Sequence, residues 1–145
     1  LERHVHTPQG PQKLISTQAG TLDALCLVPL HSQAAAEGQV EIEVHAAGLN
    51  FKDVLYALGV VPVAGDLPLG FECAGVITQV GAHVADLQPG DRVVSALSPG
   101  CFAGRVLADA RLVVKLPEAL PFEPAATLPI AFLTARYALE HTARL

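Results

Sequence analysis

The sequence lacks an apolar run long enough to cross a membrane. Its longest apolar stretches, such as Leu128 to Leu133, are far shorter than the roughly 20 residues that a membrane-spanning helix needs. The first residues, Leu-Glu-Arg-His, also lack the apolar core of a secretion signal. From these absences we expect a soluble, cytoplasmic protein that has no membrane partner.

Clustered basic residues and paired cysteines are missing as well. Nine Lys and Arg, occurring singly, stand against 14 Asp and Glu, for a formal net charge of -5. No basic stripe can therefore neutralise a row of phosphates, and we expect no nucleic-acid partner. The three cysteines, Cys26, Cys73 and Cys101, are odd in number and form no C-x-x-C pair, which argues against a disulfide framework or a zinc knuckle. We interpret all three as small buried hydrophobic residues.

Short strands separated by turns are the main feature that is present. A chain of 145 residues, 51% of them hydrophobic, has the size of one domain and can bury a core of its own. Residues Val40 to Ala46 alternate between apolar and polar, as a half-buried strand does. Further β-rich runs lie at Leu22 to Leu30, Gly75 to Val80, Arg92 to Leu97, Arg105 to Ala108 and Arg111 to Leu116. The pattern predicts a mainly β fold, a sandwich or small barrel, rather than an alternating βαβ array.

Helical signals occur in only two places. Asn50 is a good N-cap with Asp53 in a capping-box position, and Gly59 is expected to end that helix. Towards the C-terminus the sequence predicts a short helix at Phe122 to Ala126 and a longer one from Ile130 to Leu145. The longer helix has a largely apolar face, which we expect to dock on further polypeptide. We therefore divide the chain into a lead with the first strand (1–20), a β domain (21–121) and a helical connector (122–145).

Four segments in this order resemble a known family. They are AAGLNFKDVLYALG, PLGFECAGVITQVG, LQPGDRVV and the stretch from Gly104 to Leu139. Together they are similar to the catalytic half of the medium-chain dehydrogenase/reductase superfamily, and within it to the enoyl reductase domains of modular polyketide synthases. The resemblance implies a partly open GroES-like β-barrel with a short cleft helix and C-terminal connecting helices. The glycine-rich turn that binds pyrophosphate is absent from the sequence, so we expect the Rossmann cofactor domain to lie outside this chain.

The resemblance also implies a reaction. Enoyl reductases use NADPH to reduce the α,β-double bond of an enoyl thioester, here carried by an acyl carrier protein among other synthase domains. We expect this chain alone to bind NADPH weakly and to have no turnover. Two alternatives remain open: a zinc-independent quinone oxidoreductase of the same superfamily, and a non-catalytic GroES-like interaction module. The lead from Leu1 to Gly20 resembles an interdomain linker and favours the synthase.

Five residues match the family's cofactor and substrate positions. The resemblance implies that Asn50, Lys52 and Thr134 contact the cofactor, although a helix cap, a solvated charge and a hydroxyl bonded to its own helix explain them equally simply. Tyr56 and Val61 fall on the substrate side. In many of these enzymes the position of Val61 holds a tyrosine that is thought to deliver the α-proton, and its replacement goes with the (2R) methyl configuration or with unbranched substrates. Valine has no proton to give, so we assign no catalytic residue and expect the proton from water or another group.

A metal is not expected. Zinc-dependent relatives have a cysteine ligand and a histidine ligand where this sequence has Asn50 and Phe71, and neither side chain can replace those ligands. Glu72 follows Phe71, and we interpret it as a structural carboxylate that anchors the cleft backbone or pairs with an arginine.

Overall fold

The computed structural model describes residues 10–62 and 68–145, and all structural statements concern these residues. The predictions for residues 1–9, which begin the lead, lie outside them. Strands β1 (Gln12–Ser16) and β2 (Leu25–Pro29) form a small antiparallel sheet. The remaining strands are β3 (Gln39–Ala47), β4 (Glu72–Val80), β5 (Arg92–Ala96), β6 (Arg105–Asp109) and β7 (Val113–Lys115). They form one antiparallel sheet in the order β6-β3-β4-β5-β7, so the predicted mainly β fold is confirmed.

The described residues form two buried clusters on the five-stranded sheet, a small one of Ala74, Ala125 and Ala126 and a larger one. The buried residues of the larger cluster, the main core, are Val40, Ile42, Cys73, Ile77, Val93, Cys101, Val106, Ala108 and Val113. The interpretation of three buried cysteines is wrong for Cys26, which is exposed on β2. The cause is its place in the separate two-stranded sheet, outside this core. Strict alternation also fails in β3, where Glu41 is 3% exposed between buried neighbours. Its carboxylate accepts a hydrogen bond from Thr78 Oγ1, which helps to offset the cost of burial.

Two predicted strands start later than expected because a single turn of 3₁₀-helix precedes each of them. Residues Leu22–Ala24 form a turn before β2, and residues Ala110–Leu112 form one before β7. In each case a side-chain oxygen accepts from a backbone N–H two residues further on: Thr21 from Asp23, and Asp109 from Arg111. Such local bonds compete with the pairing of strands.

Helix α1 (Phe51–Ala57) begins and ends where the sequence predicts. Asn50 is its N-cap residue, and Asp53 Oδ2 accepts from the backbone N–H of Asn50 at 2.9 Å. At the other end Gly59 has a φ of 66°, and the N–H groups of Gly59 and Val60 donate to the carbonyls of Tyr56 and Leu55. These bonds are a Schellman motif, in which glycine adopts the left-handed conformation without strain.

The C-terminal helices differ in part from their prediction. Helix α2 (Phe122–Ala125) confirms the short helix. Helix α3 (Pro129–Arg136) starts one residue early, since proline at the first position already has a helical φ. It then changes to a π-helical turn over Tyr137–Thr142, so the predicted extent to Leu145 is wrong. Four apolar side chains on these two segments are exposed: Phe132, Leu133, Tyr137 and Leu139. No helix in residues 10–62 or 68–145 is long and apolar enough to span a bilayer.

Candidate functional site

The carboxylate of Glu72 joins the starts of two helices. Glu72 is the first residue of β4 and is 4% exposed. Its Oε1 accepts from the side-chain amide of Asn50, at 2.8 Å from Nδ2, and its Oε2 accepts from the backbone N–H of Ile130, also at 2.8 Å. Asn50 precedes α1, and Ile130 is the second residue of α3. Because an N–H in the first turn of a helix has no acceptor within that helix, Glu72 caps α3 from a distant strand.

A second buried carboxylate fixes the other side of α1. Asp53 is 2% exposed, and in addition to capping α1 it accepts from Gly70 N–H, with Oδ1 and N 2.8 Å apart. Gly70 has a φ of 81°, and a Cβ there would lie 2.6 Å from the backbone nitrogen of Phe102. Asp53 therefore ties α1 to the segment that leads into β4. The sequence predicted its capping role but not this second bond.

Lys52 lies over two aromatic rings. Its Nζ is 4.1 Å from the centre of the Phe71 ring and 5.2 Å from that of Tyr56. The two rings meet edge to face at 5.9 Å. This is cation–π geometry, which orients the ammonium without neutralising it. Lys52 has no ion pair with any carboxylate in the described part of the chain. The structure thus brings Lys52 and Tyr56 together with Phe71.

Val61 and Thr134 take no part in the contacts described above for Glu72, Asp53 and Lys52. Val61 follows the Schellman turn of α1 and is partly exposed, next to the exposed Val60. Thr134 is exposed on α3, four residues after Ile130 and hence on the same side of that helix. Glu72 therefore touches Asn50 directly and reaches Thr134 only through one turn of α3.

The buried Cys101 thiol offers no thiolate ligand. Cys101 Sγ donates to the carbonyl of Ser98 at 2.9 Å. The neighbouring Cys73 thiol, together with burial, raises the pKa of the Cys101 thiol far above its usual range. The thiol is therefore protonated, whereas metal binding and nucleophilic attack require the thiolate. In the ranges that the structure describes, no three His, Cys, Asp or Glu side chains are grouped as a metal site.

Comparison with known proteins fixes the family. Residues 36–118 match the alcohol dehydrogenase GroES-like domain, which covers more than half of the 145 residues. The chain belongs to that family. Among curated relatives of this GroES-like chain, a reducing polyketide synthase (PKS1) of Cochliobolus heterostrophus is 41% identical over 138 residues, or 94% of this chain. The spectinabilin polyketide synthase protein NorB of Streptomyces orinoci is 48% identical over 122 residues, or 83% of it.

Solved structures agree with this assignment. The crystal structure of CurK enoyl reductase superposes with a TM-score of 0.89 at 38% identity, covering 94% of this chain. The Escherichia coli quinone oxidoreductase complexed with NADPH gives 0.82 at 29% identity, covering 91%. The GroES-like chain spans 44% and 41% of these two chains, and only 5% and 6% of the two synthases. The resemblance drawn from the sequence motifs is confirmed.

Three features of the GroES-like site were beyond the sequence argument. One is the bond from Glu72 to Ile130, which are 58 positions apart. Another is the bond from Glu72 to Asn50, and the third is the position of Lys52 over Phe71. The spacing of Lys52 and Tyr56, four residues apart on a predicted helix, signalled only the neighbouring contact between those two side chains.

Proposed function

We propose that this chain is the substrate-side half of an NADPH-dependent enoyl reductase in a polyketide synthase. It helps to reduce the α,β-double bond of an enoyl thioester that an acyl carrier protein delivers. The observation that carries this proposal is the likeness to CurK enoyl reductase over 94% of the chain at 38% identity. The polyketide synthases among the curated relatives support the same assignment.

The cofactor side of the proposal assigns Asn50, Lys52 and Thr134 to NADPH. These residues fit such a ligand: the Asn50 amide is held by Glu72, and the Lys52 ammonium is oriented by two rings without a carboxylate partner among the described residues. A phosphate or ribose oxygen is the kind of group that this ammonium can bind. When bound, NADPH supplies the hydride. The residues of this chain contribute by orienting the cofactor and by excluding water on one side of the cleft.

The substrate side is assigned to Tyr56 and Val61. Tyr56 packs edge to face on Phe71, and the exposed Val60 and partly exposed Val61 offer apolar surface to an acyl chain. Val61 cannot donate a proton, so the α-carbon receives its proton from water or from a group outside these residues. No metal takes part in this proposal, because Asn50 and Phe71 occupy the positions of the zinc ligands. Electrostatic stabilisation then comes from hydrogen-bond donors and from Lys52.

The proposed reaction needs more polypeptide than this chain. We assign residues 21–121 to the substrate side, 122–145 to a connector towards a nucleotide-binding domain, and 1–20 to a link with other synthase domains. The chain alone is then expected to bind NADPH weakly and to turn nothing over. We place the complete enzyme in the cytoplasm.

A quinone oxidoreductase is the second candidate. The observation in its favour is the likeness to the E. coli enzyme, with a TM-score of 0.82. Its lower identity, 29% against 38% for CurK, ranks it below the enoyl reductase.

One assay separates the two candidates. The coding sequence is extended past Leu145 to include a nucleotide-binding domain, and NADPH oxidation is followed at 340 nm with a crotonyl thioester and with a quinone. We expect oxidation with the thioester, and none from the 145-residue chain under the same conditions. A preference for the quinone, or turnover by the 145-residue chain, would contradict the proposal.

A further inference from the structure

Glu72 contacts both helices on which the proposed cofactor ligands lie. Its side chain bonds to Asn50 at the start of α1 and to Ile130 at the start of α3. Its backbone carbonyl also accepts from Gly48 N–H at 3.1 Å, two residues before Asn50. The backbone carbonyl and the carboxylate of Glu72 together contact three places: the segment before α1, the N-cap residue of α1 and the first turn of α3.

These contacts argue against direct proton chemistry at Glu72. A general acid or base must touch the proton that it moves. Both oxygens of Glu72 instead accept from N–H groups that do not titrate, an amide and a backbone nitrogen. The residue is also 4% exposed, so a substrate has little access to it. The carboxylate acts through its neighbours.

We propose that Glu72 is a positioning residue that fixes Asn50 and α3 relative to each other, so that the cofactor contacts of Asn50 and Thr134 form or fail together. This inference rests on the proposed function for the identity of the ligand. It adds that two contacts, on segments more than 80 residues apart in sequence, depend on a single buried carboxylate.

Glutamine at position 72 is a sharp test because it keeps the shape of the side chain. Glutamate offers acceptors to two donors, whereas glutamine offers one acceptor oxygen and an NH₂ group. Glu72→Gln therefore loses one of the two bonds, or forces Asn50 to turn its amide round. The matched control is Glu41→Gln. Glu41 is equally buried, 3% against 4% exposed, and bonds to Thr78 rather than to either helix.

The first measurement is the KM for NADPH in the complete reductase that carries this chain. We expect Glu72→Gln to raise this KM about tenfold, as for a lost charged hydrogen bond, and Glu41→Gln to change it less than twofold. In the Asn50→Ala background we expect Glu72→Gln to add clearly less than its tenfold effect in the wild type, because only the part that acts through α3 remains. The proposal would be overturned if both glutamine variants raised the KM equally. It would also be overturned if the KM increases of Glu72→Gln and Asn50→Ala multiplied in full in the double variant.

The second measurement does not depend on catalysis. Amide hydrogen exchange of the 145-residue chain reports the Ile130 N–H, which lies in the first turn of α3 and has Glu72 as its acceptor. We expect this exchange to accelerate at least about fivefold in Glu72→Gln and to stay unchanged in Glu41→Gln. An unchanged rate in both variants would overturn the positioning role. If the wild-type reductase fails to oxidise NADPH with the thioester, the proposed function fails, and the exchange experiment still decides whether Glu72 holds α3.

Discussion

Substituting Gly48 by alanine tests how tightly the site is built. A Cβ at this position would lie 2.5 Å from Glu72 Oε1 and 2.7 Å from the backbone oxygen of Ala126. Real Cβ atoms essentially never approach a neighbour within 3.0 Å, so the surroundings must move by several tenths of an ångström. The Ala126 oxygen belongs to the backbone that ends α2, and the Glu72 carboxylate is held by two hydrogen bonds. Moving either atom away from the new methyl group therefore costs free energy.

The expected cost follows from these two contacts. Forcing a methyl group into a filled space costs typically about 1–3 kcal/mol. Displacing the Glu72 carboxylate also leaves part-buried donors at Asn50 and Ile130 without their acceptor, at no more than about 1–3 kcal/mol for each. The two costs are alternatives in part, since moving the carboxylate relieves some of the clash. We therefore expect the free energy of unfolding to fall by about 2–4 kcal/mol.

Urea unfolding followed by far-ultraviolet circular dichroism measures this change, because the chain has no tryptophan. Gly104→Ala is the matched control: a Cβ there meets Pro11 at 3.4 Å, which is an ordinary contact, and its φ is not positive. We expect this control to stay within about 1 kcal/mol of the wild type. If Gly48→Ala is destabilised by no more than Gly104→Ala, the contacts around Glu72 do not constrain the backbone and the reasoning is wrong.

Three further outcomes are expected. Iodoacetamide should label only Cys26 in the native chain, since burial and Cys73 raise the pKa of the Cys101 thiol, and mass spectrometry that finds native Cys101 labelled contradicts this. The Arg111 guanidinium lowers the pKa of Asp109 to about 2, below its unfolded value of about 3.9. The stability that this pair contributes is therefore present above about pH 4 and lost as the pH falls through about 2, and urea titrations should show a larger loss in the wild type than in Arg111→Gln, whose backbone N–H at position 111 still donates to Asp109. In the complete reductase, Val61→Tyr should shift the α-methyl configuration of a reduced 2-methyl-enoyl thioester away from (2R), as measured by chiral chromatography, whereas an unchanged configuration argues against Val61 facing the α-carbon.

Local signals explain why α1 was predicted well. Its start depends on Asn50 and Asp53, three residues apart, and its end depends on the left-handed φ of Gly59. Each of these effects acts over four or five residues, so the sequence alone contains the information. The strands followed from period and turn residues in the same way, apart from the single turns that Thr21 and Asp109 stabilise and apart from β4, which starts at Glu72 rather than at the predicted Gly75.

Burial was less predictable, because it depends on what lies across the sheet. The polar side chains of β3 were expected to face solvent, yet Glu41 is buried, accepts a hydrogen bond from Thr78 and lies 3.7 Å from the Arg105 guanidinium. Those two partners come from the strands on either side, β4 and β6. The exposure of Cys26 has the converse cause, since among the described strands β2 pairs with β1 alone. Neither pairing can be deduced from the alternation within one strand.

The site depends both on local sequence signals and on contacts between residues that are distant in the sequence. Asn50, Lys52 and Tyr56 lie within seven residues, and their place on one short helix was evident from the sequence. What gives them fixed geometry comes from β4: Phe71 lies under the Lys52 ammonium just before that strand, and Glu72 starts it and holds the Asn50 amide. Two adjacent residues at the start of one strand thus set one cationic and one amide group of the same helix. Neighbouring residues of an extended chain face opposite ways, so a one-residue shift at this point would displace both groups at once. The hydrogen bond from Gly70 N–H to Asp53, just before Phe71, opposes such a shift and therefore matters to the site as well as to the fold.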